Sequence, residues 1–276
     1  MNEWDAILAD YVAYMTAIGR PKTTIDLRRY QIAYLARSLN LAPQKITYDD
    51  LIGWFGVHDW KPETRRSYRS GVRGFFAWAH QNGRIESDPA VGIPQMKVPK
   101  AAAHPAPDIV YQRALLSADK RTVLMLRLAA EVGLRRAEIA QVHTRDLRHG
   151  PNGAQLLVHG KGSRERVVPV TAELAALVAA GAGGHTAGWG SQGWLFPSIR
   201  DGHVSPAWVG TVCSQAMPGV WTLHKLRHRF ASKAYRGTRN LRAVQELLGH
   251  ANVAITERYT AVDDDEMRAA MMAAVA

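Results

Sequence analysis

The chain has 276 residues, 47% of them hydrophobic, one cysteine, and a net charge of +11 with a pI near 10.0. This composition builds ordinary cores and excludes disorder as the default. The lone Cys213 excludes a disulfide framework or a cysteine zinc cluster and points to a reducing cytoplasm, while the absence of a run of about eighteen apolar residues excludes a helical membrane span.

The start, "MNEWDAILADYVAYM", has early acids and no basic stretch before an apolar block, so it does not read as a secretory signal. A first helix is expected over Trp4–Ile18, ended by Gly19, and a second from Pro21, which suits a first helical turn. A third opens at "TYDD", where Thr47 and Asp50 form a capping-box pattern.

The fourth helix, "KPETRRSYRSGVRGFFAWAHQNG", places Tyr68, Val72, Phe75, Phe76 and Ala79 on one face. Arg65, Arg69 and Arg73 recur every four residues on another, with Lys61 and Arg66 nearby and almost no acidic counterpart beyond Glu63. Charge runs are usually solvated surface. Unpaired arginines repel one another, however, so a phosphate-bearing partner is the better reading of this outward stripe.

The strip "DPAVGIPQMKVPKAAAHPAPD" carries Pro89, Pro94, Pro99, Pro105 and Pro107, which forbid a continuous helix. The expected organisation is a helical domain over 1–93, a linker over 94–107 and a second domain over 108–276. In the second domain, "VYQRALLSA", "RTVLMLRLAAEVGL" and the short "RRAEIAQV" read as helices. "AQLLVHGKGSRERVVPV" then reads as two strands around a Gly-Lys-Gly turn. A helix over 171–180 follows, then a flexible surface loop, "GAGGHTAGWGSQGW", and three more helices through "LRAVQELLG". The tail "DDDEMRAAMMAAVA" suits one further helix. The fold class is mainly α with a small antiparallel β-sheet.

Chemistry-bearing residues gather in the second domain. In "HKLRH", His224 and Arg227 share a helix face; His224 and His228 have metal-ligand spacing, but no carboxylate or cysteine completes a site. An anion site is the stronger reading, with Arg227 as a rigid fork of donors. Arg135 in "GLRRAEI" reads alone as a surface residue at a helix end, with Glu138 placed to pin it. Lys161 sits at a hairpin tip between glycines; "GKGS" lacks the upstream glycine and strand–loop–helix context of a P-loop, so an ATP site is rejected. In "LLGHANVAITERYT", His250 and Tyr259 each read alone as ordinary helix-end residues. Together, two arginines, a lysine, two histidines and a tyrosine without a pair of metal-binding acids suit metal-free phosphoryl transfer, with the tyrosine as nucleophile.

"GLRRAE", "GKGSRERVVP", "HKLRH", "LLGH" and "ERYT" resemble, in order and approximate spacing, the tyrosine recombinase or phage integrase family. "RRSYRSGVRGFFAWAHQNGRIESDPA" resembles that family's core-DNA-binding domain, so the likeness covers essentially the whole chain. The resemblance implies that Arg135 and Arg227 clamp the scissile phosphate, with Glu138 supporting the first. It makes Lys161 the general acid for the departing 5′ oxygen, His224 the acid–base histidine and His250 a phosphate hydrogen-bond partner. Tyr259 would form a 3′-phosphotyrosyl bond. No cofactor and no metal are implied.

The implied partner is double-stranded DNA with paired core sites, bound by a homotetramer, with an accessory DNA-bending or directionality factor as a further candidate partner. The implied setting is the bacterial cytoplasm or nucleoid. The helical domain begins almost at residue 1, so the resemblance is to a compact form without an arm-binding domain. Phage or mobile-element integration and excision is the leading expectation. The alternatives are an Xer-type resolution recombinase, a type IB topoisomerase-like enzyme and a non-catalytic DNA-binding regulator.

Overall fold

A computed structural model of the chain describes residues 3–95, 104–160, 162, 164–200, 202–249 and 271–272. The chain divides into two compact units, Met1–Lys100 and Ala101–Ala276.

In the first unit the described residues form α1 (Glu3–Ala17), α2 (Lys22–Leu39), α3 (Tyr48–Gly56) and α4 (Pro62–Gln81). Thr47 and Asp50 close the expected capping box: Asp50 N donates to Thr47 Oγ1 at 3.2 Å and Thr47 N to Asp50 Oδ2 at 2.9 Å. The apolar face of α4 is buried as its period requires, with Val72, Phe75, Phe76 and Ala79 fully enclosed. Phe75 stacks on Trp4 and meets Tyr11 edge-on. Each such aromatic contributes roughly 1.5–3 kcal/mol on burial.

The second unit contains α5 (Asp108–Ser117), α6 (Lys120–Glu131), α7 (Arg136–Ala140), β1 (Leu147–Gly150), β2 (Gly153–His159), β3 (Glu165–Pro169), α8 (Ala172–Ala179), α9 (Pro206–Ala216), α10 (Leu223–Thr238) and α11 (Leu241–Leu248). α6 is its central helix: Leu124, Met125, Leu126, Leu128, Ala129 and Ala130 are all buried. The three strands form an antiparallel sheet in the order β1-β2-β3, with Leu147 opposite Leu156, Val158 opposite Arg166 and His159 opposite Glu165.

The structure adds detail to three expectations. The sheet has a strand, β1, beyond the two-stranded hairpin; "HGPNG" is the turn that folds it onto β2. The glycine-rich segment after α8 is a surface loop, with 187–192 exposed, whose first residues pack against its later ones. Ala182 is buried, Gly183 N donates to Gly190 O at 2.9 Å, and a Cβ on Gly181 would lie 2.4 Å from Ser191 O. Glycine is there because backbone segments touch. Finally, the end of the proline-rich strip is part of the second unit: Ala106 is buried and its N–H donates to Lys225 O at 3.0 Å. Cys213 is buried as expected, and burial pushes its thiol up to about 12. No described helix is long and apolar enough to cross a membrane.

Candidate active site

α6 ends at a sharp turn where Gly133 adopts φ +72°. A Cβ there would lie 2.5 Å from the Phe230 ring, so glycine is required both by conformation and by the packing of α10. The turn delivers Arg135 to the position before α7. Three residues on, Glu138 folds back and accepts from Arg135 N at 2.8 Å and from Arg135 Nη1 at 2.7 Å. Glu138 is buried while the Arg135 side chain stays 40% exposed, so the carboxylate anchors a guanidinium that still faces outward.

Arg227, on α10, is the largest fully buried side chain. Its Nη1 donates to the Gly133 carbonyl and its Nη2 to Leu248 O at 2.6 Å, while Nη1 lies 3.6 Å from Glu138 Oε2. A third arginine completes the cluster. Arg166 on β3 donates Nη1 to Glu138 Oε1 at 2.9 Å and Nη2 to Glu138 Oε2 at 2.8 Å. One buried carboxylate therefore sits among three guanidiniums, and these four groups carry an excess of positive charge. Burial alone would raise the Glu138 pKa. Arg166 hydrogen bonding and charge, the Arg135 N–H and the Arg227 charge overcome it and hold the group at about 2.

The cluster opens on a cleft of about 1030 Å³ whose lining includes Arg135, Arg227, His224, Thr211, Ser214 and Gln215. His224, at the start of α10, is exposed, and its ring centroid lies 4.3 Å from that of His228. No group of three His, Cys, Asp or Glu suited to a metal exists among the described residues. The chemistry of this donor set is recognition of an oxyanion by cations and N–H groups.

Of the expected site residues, the structure brings Arg135, Glu138, Arg227 and His224 together at this cleft. Lys161, His250 and Tyr259 lie outside the described residues, as does nearly all of the expected tail helix. Their chain neighbours are placed, however. A Cβ on Gly160 would lie 3.9 Å from Glu138 Oε1, and one on Gly249 would lie 3.0 Å from Arg166 Cδ.

Arg166 was absent from the sequence-based set. A signal for it existed: strand alternation puts it on the same face as buried Val168, and an inward-facing arginine needs a partner. His159, on the face of β2 opposite buried Leu156 and Val158, has Nε2 3.0 Å from Asp146 Oδ1 and Nδ1 3.0 Å from Glu165 Oε1 at the neck of the hairpin.

The basic stripe of α4 is narrower than its period suggested. Arg65 Nη2 donates to His58 O at 2.5 Å, and Arg69 donates Nε and Nη2 to Ile93 O at 3.2 and 2.7 Å. Arg65, Arg69 and Arg73 are half-buried, whereas Lys61 and Arg66 are exposed. The cause is contact outside the helix: the carbonyls of His58 and Ile93 accept from guanidiniums that the helical period assigns to solvent.

The model of the phage integrase family matches residues 106–266. The chain belongs to the phage integrase family. The matched stretch contains the whole arginine cluster and the three residues outside the described set. Among curated family members, the tyrosine recombinase XerC of Rhodospirillum centenum is 33% identical over 221 residues, 74% of this chain and 63% of that protein. XerC of Psychromonas ingrahamii is 31% identical over 215 residues, 70% of this chain and 68% of that protein. The chain thus spans just under two thirds of the length of the Rhodospirillum relative. A phage integrase-family fold is also seen in solved structures. A lambda integrase dimer bound to a COC′ core site superposes with a TM-score of 0.73 at 18% identity, covering 94% of this chain and 96% of that one. XerH bound to difH substrate superposes at 0.66 and 18% identity, covering 90% and 78%.

Proposed function

We propose that the protein is a site-specific DNA recombinase that breaks and rejoins DNA through a 3′-phosphotyrosyl intermediate. The observation that carries this reading is the over-cationic cluster around Glu138, which opens on a cleft with His224 at its edge. Arg135 and Arg227 hold the non-bridging oxygens of a scissile phosphate and offset charge as phosphorus becomes five-coordinate. Tyr259 attacks, forming the O–P bond while the bond to the 5′ oxygen breaks. Lys161 protonates that oxygen, His224 moves protons at the phosphate and His250 hydrogen-bonds it. An ordinary tyrosine has a pKa of about 10, so in this reading its attack at neutral pH needs cations beside it to favour the ionised form. The bond energy is retained in the phosphotyrosine, so the second strand's 5′-hydroxyl reverses the step without ATP.

The first unit, with Lys61 and Arg66 as the exposed cations of the α4 stripe, is the core-DNA-binding domain of this reading, and 108–276 the catalytic domain. Lambda integrase is described as a dimer on a core site and as a tetramer on a Holliday junction, which supports a tetramer on paired core sites here. A cytoplasmic setting follows from the substrate. Integration and excision of a mobile element is the leading role. The XerC relatives favour a second reading, resolution of chromosome or plasmid multimers.

The deciding experiment incubates the protein with a nicked duplex carrying the attachment core from the DNA flanking its gene. A covalent adduct that disappears in Tyr259→Phe is expected; no adduct on that site overturns the reading. Retained activity in EDTA is also expected, and loss restored only by added metal would contradict the metal-free step. Exchange between two duplexes then separates a recombinase from a relaxing topoisomerase.

A further inference from the structure

Two consecutive carbonyls at the end of α11 are taken by arginines from different elements. Leu247 O accepts from Arg166 Nε at 2.8 Å, and Leu248 O accepts from Arg227 Nη2 at 2.6 Å. Both lie in the last turn of the helix, where carbonyls have no intrahelical partner. Both arginines also converge on Glu138. Arg166 therefore joins three segments at once: β3, which follows the hairpin carrying Lys161; α7, through Glu138; and the end of α11, from which the chain runs directly to His250 and on to Tyr259.

The geometry is specific to a guanidinium. Two bonds engage both oxygens of Glu138 while the third donor, Nε, bonds Leu247 O. A lysine ammonium is a point donor on a flexible stem and does not reproduce this arrangement. Gly249 fits the same account. It has φ +61°, and a Cβ there would meet Arg166 Cδ at 3.0 Å and Nη1 at 3.1 Å. The helix ends on a left-handed glycine with the Arg166 side chain packed against it. Arg166 is only 12% exposed and is not among the residues lining the cleft, so its partners are the protein groups it holds.

We propose that Arg166 is a positioning residue: it fixes the end of α11, the helix that precedes His250 and Tyr259 in the chain, relative to the Arg135–Arg227 pair. The inference rests on the recombinase reading for its consequence in catalysis, but its structural half stands apart from that reading. A simple stabilising ion pair would need only Glu138. The bond to Leu247 O adds a defined relation between the arginine cluster and the end of α11. Arg166 contributes nothing to DNA affinity in this account and acts on the rate once DNA is bound.

The test uses the full chain with R166K, R166M and, as a control on the same hairpin, R164M. Hydrogen exchange is followed without DNA in peptides covering 241–249 and in α6. R166M is expected to speed exchange at the end of α11 by about tenfold or more, leaving α6 unchanged. Single-turnover cleavage is then measured on the nicked duplex. The rate at saturating DNA is expected to fall about tenfold to a hundredfold in R166M, with affinity within about twofold of the parent and partial recovery in R166K. R164M should match the parent in both. Unchanged protection of α11, or an unchanged saturating rate, overturns the proposal. So does a loss confined to DNA affinity. Should R166M not fold, R166K carries both readouts, and parental values in it overturn the proposal. If the parent itself forms no adduct, the recombinase reading fails, while hydrogen exchange still decides whether Arg166 holds the end of α11.

Discussion

Arg166 closes a two-point fork on Glu138, Nη1 to Oε1 at 2.9 Å and Nη2 to Oε2 at 2.8 Å, although the two residues are 28 positions apart. Glu138 also binds the N–H and guanidinium of Arg135. The carboxylate is therefore the counter-charge that lets three guanidiniums share one buried neighbourhood, and it is the point where the site is most sensitive to neutralisation.

That sensitivity appears as a pH dependence of stability. The Glu138 pKa falls from an ordinary 4.5 to about 2 in the folded protein. A depressed carboxyl stabilises the fold fully above its unfolded value and loses that contribution as pH drops towards the folded value. The contribution is about 3 kcal/mol near neutral pH, fading between about pH 4.5 and pH 2. Glu138→Gln should unfold at lower denaturant concentration at pH 7 and show a flatter stability profile across that acid window. Parallel profiles for the two proteins would refute the assignment.

Gly133→Ala should be costly for two separable reasons, a left-handed backbone and the Phe230 ring 2.5 Å from the new Cβ. Gly219→Ala is the control, with a similar φ of +70° and nothing within 4 Å. The expected losses are roughly 2–4 kcal/mol for the first and about 1 kcal/mol for the second, measured by thermal unfolding. Equal losses would show that Phe230 gives way.

Local chemistry made much of this legible in the sequence. The Thr47–Asp50 box, the apolar face of α4, the glycine stop after α6 and the hairpin around Lys161 each follow from a few adjacent residues. Arg135, Glu138, Arg227 and His224 were found through motif order, and the structure supplies the reason they belong together. The failures are long-range. Arg166 meets Leu247 across 81 positions, and no local pattern names that partner. The loss of Arg65 and Arg69 from the outward stripe depended on the carbonyls of His58 and Ile93, the latter 24 residues from Arg69. For the glycines after α8, one dimension does not show which backbone segments touch.

The same correction sharpens the expected DNA contacts of the first unit. Charge reversal at the exposed Lys61 or Arg66 should weaken duplex binding and reduce the salt slope by about one per lost phosphate contact, without lowering the melting temperature. Arg69→Met should instead lower the melting temperature, because Ile93 O loses both donors. Salt titrations with thermal melts on the same variants check this. An unchanged affinity and salt slope in both Lys61→Glu and Arg66→Glu would remove this face from the interface.

Lysine replacement should separate the two clamp arginines. Arg135 is 40% exposed; its backbone N–H, which any residue supplies, and its Nη1 both bind Glu138, and a lysine can keep the ion pair. Arg135→Lys should therefore melt near the parent temperature, yet on the proposed reading cleave about a hundredfold or more slowly, because a point charge would replace the guanidinium proposed to hold the phosphate. Arg227 differs, since its guanidinium holds both the Gly133 and Leu248 carbonyls inside the protein. Arg227→Lys leaves at least one buried carbonyl without a donor, which costs about 1–3 kcal/mol. It should lose stability and cleavage together. Thermal unfolding and single-turnover cleavage measured on both variants decide the matter: an Arg227→Lys protein as stable as the parent would mean that Arg227 serves the phosphate alone.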